Sequence, residues 1–370
     1  MRKLASIQKI EAIHPIEGRD QIGLAQVLGW QVIVRYDQFK EGDLCVYCEV
    51  DSVFPETPEF EFLRRCNFRI KTMKMAGVIS QGLCLPMSHL PSGSYDIGTD
   101  VTDLLHITKY ESQEEIQQDY ANVRSKKKVS KLRQWIFRCP TTASFAQRIW
   151  GNSIKRKSFP DFIAKTDETR IQSMPFILSR KDITFEAHEK VDGQSGTFFL
   201  RKYKKFFGLR TEYDFGVCSR NLRLFLEDSS SYWSVANRYH IKDVLYSLLK
   251  KCDDGNEWIC IQGECIAPNV QGNKYHVDKP DLYCFNLITE KNGKIDSIEA
   301  EKILRPYGLK WVPLVTTNYC LPDTIQEIEN YVHGDSQLYH TLREGIVFRN
   351  YEKGISFKCV DPLFLLKWKE

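Results

Sequence analysis

Residues 185–198 read FEAHEKVDGQSGTF. Apolar and β-branched residues lie on both sides of the break Val191-Asp192-Gly193, so the stretch reads as two β-type runs joined at a turn. Lys190 stands at that join. A KxDG tetrapeptide recurs by chance, and an exposed hairpin lysine is its plain alternative. Further segments in a fixed order add weight. Outward toward the C-terminus come Ser219-Arg220-Asn221, then Gly263-Glu264 inside ICIQGECIA, then Tyr283-Cys284-Phe285-Asn286-Leu287. Glu344-Gly345-Ile346-Val347-Phe348 and Ser356-Phe357-Lys358-Cys359 close the series. Strand-like runs fill this region from residue 182 onward, with two helices. Residues 239–250 place Ile241, Val244, Leu245, Leu248 and Leu249 on one helical face, and residues 323–332 carry Ile325, Ile328, Tyr331 and Val332, with Gly334 as a stop.

Upstream of residue 106 the chain changes character. Short strand-like runs at residues 3–13, 22–34, 44–53 and 68–85 are separated by turn signals such as Glu17-Gly18-Arg19-Asp20 and Glu41-Gly42-Asp43. That spacing predicts a small β-barrel. Residues 106–180 hold polar stretches, a basic run, and helix-like pieces at 131–137 and 143–150, and read as a connector.

The length of 370 residues suggests two or three domains, and 27 % charged with 12 % aromatic residues marks a folded chain. No stretch reaches the ~18 apolar residues of a membrane helix. The N-terminal MRKLASIQKIEAIH lacks a signal-peptide core, so an intracellular protein is expected, with no membrane partner and its 12 cysteines reduced. The net charge of +4 says little, but its distribution says more. Residues 124–157 hold eleven Lys/Arg and residues 63–95 hold five, with no Asp or Glu in either stretch. Two such stretches suggest a polyanion partner, against the plain reading of a solvated face. Cys45-x-x-Cys48 invites a zinc reading, but no second ligand pair accompanies it and the segment alternates like a strand. His188 reads as a strand residue. There is no GxxxxGK[ST] and no GxGxxG.

The six ordered segments from Lys190 to Lys358 resemble motifs I, Ia, III, IIIa, IV and V of the covalent nucleotidyltransferases, which include RNA ligases, DNA ligases and capping enzymes. Three more stretches sharpen the resemblance: GWQVIVR at 29–35, FRIKTMKMAGVISQGLCLP at 68–86, and FPDFIAKTDETRIQ at 159–172. Together they are similar to the fifth RNA-ligase family, which is ATP-dependent and carries an OB-fold module ahead of the nucleotidyltransferase domain. The resemblance implies an α+β chain: an OB-like β-barrel at 1–105 that binds nucleic acid, a basic connector at 106–160, and a mixed α/β nucleotidyltransferase (ATP-grasp-like ligase) domain at 161–370. Residues 115–157 have no counterpart in it.

The resemblance also implies site roles. Lys190 would be the nucleophile that takes AMP from ATP. An amine must be deprotonated to attack, so nearby positive charge or desolvation must favour its neutral form. Asp192, Glu264 and Glu344 are the oxygen donors a hard cation such as Mg²⁺ or Mn²⁺ needs. Lys358 would contact the α-phosphate, Phe285 would stack on adenine, Arg220 would hold phosphate or the nick ends, and Arg170 would reach the ATP phosphates or the pyrophosphate. Core packing is the competing reading for Phe285. Asn350-Tyr351-Glu352-Lys353-Gly354 predicts a hairpin turn that would set Glu344 opposite Lys358 on one face. Many ligases carry a second lysine two residues after the motif V lysine. Here that place is Val360, so its role is either missing or moved, with Lys367 the candidate.

Lys358 lies twelve residues from the end, which leaves no room for the downstream OB domain of DNA ligases and capping enzymes. The reading is therefore an ATP-dependent RNA ligase joining 3′-OH and 5′-phosphate ends, as in nick sealing and RNA repair, through lysyl-AMP and RNA-adenylate. It is expected to act as a monomer on RNA or an RNA-containing nicked duplex, with Arg64, Arg65, Arg69, Lys71 and Lys74 of the barrel gripping phosphates. Arg69 and Lys71 would share a strand face. GTP-dependent capping and a nucleic-acid-binding protein with an inactive transferase domain remain the alternatives.

Overall fold

A computed structural model describes residues 3–110, 158–205, 210–224, 230–251 and 255–368. The basic run at 124–157, with its helix-like pieces, lies outside the described residues. The chain forms two compact units: residues 1–111, 167–191 and 313–370 in one, residues 112–166 and 192–312 in the other. The units are therefore not consecutive blocks of sequence. The chain leaves the first unit directly after Val191, at the turn that follows Lys190.

In the first unit the N-terminal strands pair antiparallel. Leu44–Cys48 lies between Ala5–Lys9 and Leu83–Leu85, and Arg19–Val27 lies between Ala12–Ile16 and Trp30–Arg35. The expected strands exist, but each run is broken. Left-handed residues at Leu28, Asp51 and Ala76 turn the chain inside three of them. The strand Leu44–Cys48 alternates between two cores. Cys45 and Tyr47 pack with Trp30, Val32 and Phe39, whereas Val46 and Cys48 pack with Leu4, Phe54 and Leu63. The two thiols of Cys45-x-x-Cys48 therefore enter different cores, which is packing rather than paired ligation.

The same unit holds a four-stranded antiparallel sheet in the order Leu314–Cys320, Thr184–Lys190, Gly345–Asn350, Ile355–Val360. One face is apolar. Phe185, Ala187, Ile346, Phe348, Phe357 and Cys359 cover a core shared with Ile328 and Val332 of the helix Ile325–Val332. That helix begins at Thr324, whose hydroxyl caps the Glu327 N–H, and its C-cap is His333, just before Gly334. The barrel is tied to this sheet through the residues after Arg170. Gly29 N–H donates to Gln172 O (2.8 Å), Trp30 Nε1 donates to Ser173 Oγ (3.2 Å), and Ser173 Oγ donates to Glu49 (2.6 Å).

The second unit is built on a larger sheet in which Gln194–Lys205, Trp258–Ile266 and Asp281–Thr289 are central. The helix Ile241–Lys251 packs on it and buries Ile241, Val244, Leu245, Leu248 and Leu249, the five residues its periodicity singled out. Each such side chain contributes about 1.5–3 kcal/mol. Among the described residues no helix is long and apolar enough to cross a membrane.

Candidate active site

Strand alternation in the four-stranded sheet leaves a second face opposite the apolar one. It carries Glu186, His188 and Lys190, then Gly345, Val347 and Arg349, then Ser356, Lys358 and Val360, matched across the strands by register. Lys190 ends its strand opposite Gly345. A Cβ on Gly345 would meet Cys359 O at 2.3 Å and Val360 Cα at 2.9 Å, so only glycine lets the strands run this close. Glu344, just before that glycine, reaches Lys190 as a result: Nζ donates to Oε2 at 2.6 Å. The pair stays partly open, with the lysine side chain 25 % and the glutamate 10 % exposed.

The hairpin through residues 350–354 forms, with Asn350 Oδ1 accepting the Lys353 N–H, but its register differs from expectation. Lys358 pairs with Val347, while Glu344 lies beyond Gly345 and accepts the Asp361 N–H. Lys358 thus shares a face with Lys190 rather than lying opposite Glu344. The sequence shows a turn but not where pairing ends, and a shift of three positions changes the partner. Lys358 Nζ donates to Asp167 Oδ1 (3.1 Å), and its N–H donates to Thr169 O (2.8 Å). Arg170 is buried. Its guanidinium faces Asp51 at 3.8 Å and lies over the Trp30 ring, which ties the residues before the sheet to the barrel.

Burial tunes two neighbours of Lys190. His188 is enclosed, and desolvation, helped by Arg349, lowers its pKa to about 4, so its ring is neutral. Glu189 is also buried and its pKa is raised by desolvation. It accepts from Ser336 Oγ and from the Gln337 N–H (2.8 Å), which pins that loop to the lysine strand.

In the second unit Gly193 explains the turn after Asp192. A Cβ there would lie 2.6 Å from Cys265 O and 3.0 Å from Glu264 Cγ. Asp192 is buried, with Oδ2 accepting from Lys274 Nζ at 2.5 Å and its N–H donating to Tyr275 Oη at 2.8 Å. Glu264 sits in a cross-strand row between Ser195 and Tyr283. Phe285 occupies an irregularity in the adjoining strand, half-buried instead of sunk in the core. Arg220 is half-buried in the short link between Arg210–Cys218 and Arg223–Leu224. Among the described residues no group of three or more His, Cys, Asp or Glu is gathered as a metal cage.

The barrel's basic residues separate into two kinds. Arg65 and Lys74 are exposed, Arg64 is exposed but paired with Glu61, and Lys71 is half-buried. Arg69 is committed inward, 2.6 Å from Asp51 and stacked 3.5 Å over Tyr110. It lies before the regular strand Thr72–Met75 begins, so the expected strand face shared with Lys71 does not form.

Sequence reading missed Lys274, Tyr275 and Asp167. Asp167 was visible in KTDETRIQ, whereas Lys274 lies in an irregular segment with no periodicity to reveal its partner.

A family model described as an OB-fold domain matches residues 4–87, and one described as RNA ligase matches residues 183–369. No curated protein sequence matches. Among solved structures, the chain is similar to Naegleria gruberi RNA ligase with PPi, at 28 % identity and TM-score 0.77, covering 100 % of this chain and 99 % of that one. A lysine-to-alanine mutant of that ligase with ATP and Mn gives 27 % identity and TM-score 0.77, with 99 % of each chain covered.

Proposed function

Because the chain belongs to the RNA ligase family, we propose that it seals RNA ends with ATP, through a lysyl-AMP on Lys190. Lys190 Nζ attacks the α-phosphorus. A P–N bond forms, the bond to the bridging oxygen breaks, and pyrophosphate leaves with the electron pair. AMP then passes to an RNA 5′-phosphate, which frees Lys190. The 3′-OH attacks the activated phosphate, and AMP leaves as a phosphodiester forms. The observation that carries this reading is the Lys190–Glu344 pair at 2.6 Å, at the end of the strand Thr184–Lys190. Glu344 Oε2 orients Nζ at the strand end by accepting its hydrogen bond. Lys358, on the same sheet face, supplies positive charge for the α-phosphate.

The donor set fits a hard divalent cation. Asp192, Glu264 and Glu344 offer only carboxylate oxygens, the ligand chemistry of Mg²⁺ and Mn²⁺. The family resemblance implies that such acids mostly orient the waters on the ion. Such an ion, when bound, offsets charge on the α-phosphate and disfavours the protonated lysine. The Naegleria ligase mutant solved with ATP and Mn supports the same pairing of substrate and metal. Phe285 and Arg220 are assigned to adenine and phosphate, respectively.

We assign residues 1–105 to nucleic-acid binding, with Arg65 and Lys74 as the exposed phosphate contacts, and residues 161–370 to nucleotidyl transfer. The substrate is an RNA or RNA-containing duplex with a 3′-OH and a 5′-phosphate, acted on by a monomer. Incubation with α-³²P ATP or α-³²P GTP followed by denaturing electrophoresis tests the reading. A covalent label from ATP that Lys190→Ala abolishes is expected. A label from GTP alone means capping, and no label means a binding protein.

A further inference from the structure

The large sheet of the second unit carries Ser195, Glu264 and Tyr283 on one face. Strand alternation puts Leu200, Lys202 and Lys204 on the other, where the helix Ile241–Lys251 packs. The neighbouring strand Arg210–Cys218 sets Tyr213 opposite Lys202 and Thr211 opposite Lys204. Tyr213 meets Tyr246 of the helix edge-to-face, with ring centroids 4.9 Å apart. Both rings stay exposed, at 38 % and 36 %. The helix buries its five apolar residues without Tyr246, so packing gives that ring little reason to be there. Beside the two rings runs a groove of about 490 Å³, whose walls include Arg210 and Lys242. Two acids also line it: Asp243, and Glu212, which accepts from Tyr203 Oη at 3.1 Å and faces Arg210 at 3.8 Å. The Lys250 ammonium lies 4.6 Å from the Tyr246 ring centroid.

We propose that this groove holds single-stranded RNA continuing beyond the ends being joined, with Tyr213 and Tyr246 stacking on its bases and the surrounding cations meeting its phosphates. This rests on the RNA-joining reading above and adds a strand type to it. The groove lies on the sheet face opposite Glu264, so it takes RNA away from the joint and not the reacting ends. Stacking on tyrosine needs an unpaired base, because a duplex keeps the faces of its bases within its own stack. Lys202, Lys204, Arg210, Lys242 and Lys250 surround the groove against Glu212 and Asp243, which leaves positive charge for a phosphate backbone. Lys250 occupies the place over Tyr246 that a base can take. An exposed cation–π contact is weaker than a stacked base, so the exchange favours the base and frees the ammonium for a phosphate.

Fluorescence anisotropy with two labelled probes, an oligoadenylate and a flush-ended nicked duplex, tests this on the full chain. Tyr246→Ala should weaken oligoadenylate binding by about five- to a hundredfold. Tyr246→Phe keeps the ring and should keep the affinity. Lys204→Gln and Lys242→Gln, both at exposed positions, should each lower the salt slope of oligoadenylate binding by about 0.7. The flush duplex should bind Tyr246→Ala as it binds the unsubstituted protein. If Tyr246→Ala holds the oligoadenylate at full affinity, the groove serves something other than RNA and the proposal is overturned. It is equally overturned if Tyr246→Phe loses affinity as Tyr246→Ala does, or if duplex binding weakens by the same factor. A protein that takes no label from ATP would instead sink the reading of the reaction, while oligoadenylate binding would still decide the role of the groove.

Discussion

Two lysine–carboxylate pairs, one in each compact unit, have similar geometry and different surroundings. Lys190–Glu344 spans 2.6 Å with a quarter of the lysine side chain exposed. Lys274–Asp192 spans 2.5 Å with both side chains almost fully buried. A nucleophile must reach substrate, lose a proton and turn over, and partial exposure permits that. A buried pair pays heavily in desolvation and holds only while both partners are present. Under the proposed function the open pair is the part that turns over, and the closed pair fixes the position of the Asp192 carboxylate.

The comparison breaks most sharply on substitution. Lys190→Ala should lower covalent labelling by about a thousandfold or more, with a smaller loss of unfolding free energy than the Lys274 variant below. Gel labelling and urea denaturation measure the two. Lys274→Met should do the reverse in emphasis. It leaves Asp192 as an uncompensated buried charge and should cost about 3–5 kcal/mol in the same denaturation experiment. Equal stability of the two variants would remove the distinction.

A smaller effect should appear on acidification. The pKa of His188 is about 4 in the folded chain and near 6.5 when unfolded. The unfolded state therefore binds the proton first. The contribution of neutral His188 is fully present above pH 6.5 and falls as pH drops toward 4, by at most about 3 kcal/mol. Subtracting the stability-versus-pH curve of His188→Gln isolates it, and coincident curves would refute it. Smallest is the effect on duplex binding. Arg65→Ala and Lys74→Ala should each reduce the salt slope of binding to a nicked duplex by about 0.9. Arg69→Ala should change stability instead, since its guanidinium is held by Asp51 and Tyr110.

The order of motifs from Lys190 to Lys358 was legible because each is a short local pattern: a strand, a turn, an acid or a base. The helix Ile241–Lys251 was legible down to its five buried residues, since helical periodicity is written in consecutive positions. The hairpin turn at residues 350–354 was legible, but its register was not. Pairing Val347 with Lys358 depends on how closely Gly345 lets two strands approach. The inward turn of Arg69 was hidden for a similar reason, as its partners Asp51 and Tyr110 lie far away in sequence.

By itself the sequence determined the family, the β-rich N-terminal module, and which lysine stands in the KxDG turn. These follow from residue types at short spacings. Only the tertiary structure decided that Lys274 neutralises Asp192, that Arg170 faces Asp51 of the barrel, and that Lys358 meets Asp167. Charged side chains act on whatever lies within a few ångströms, and residues separated by up to 119 and 191 positions became neighbours only through strand pairing and packing between distant segments.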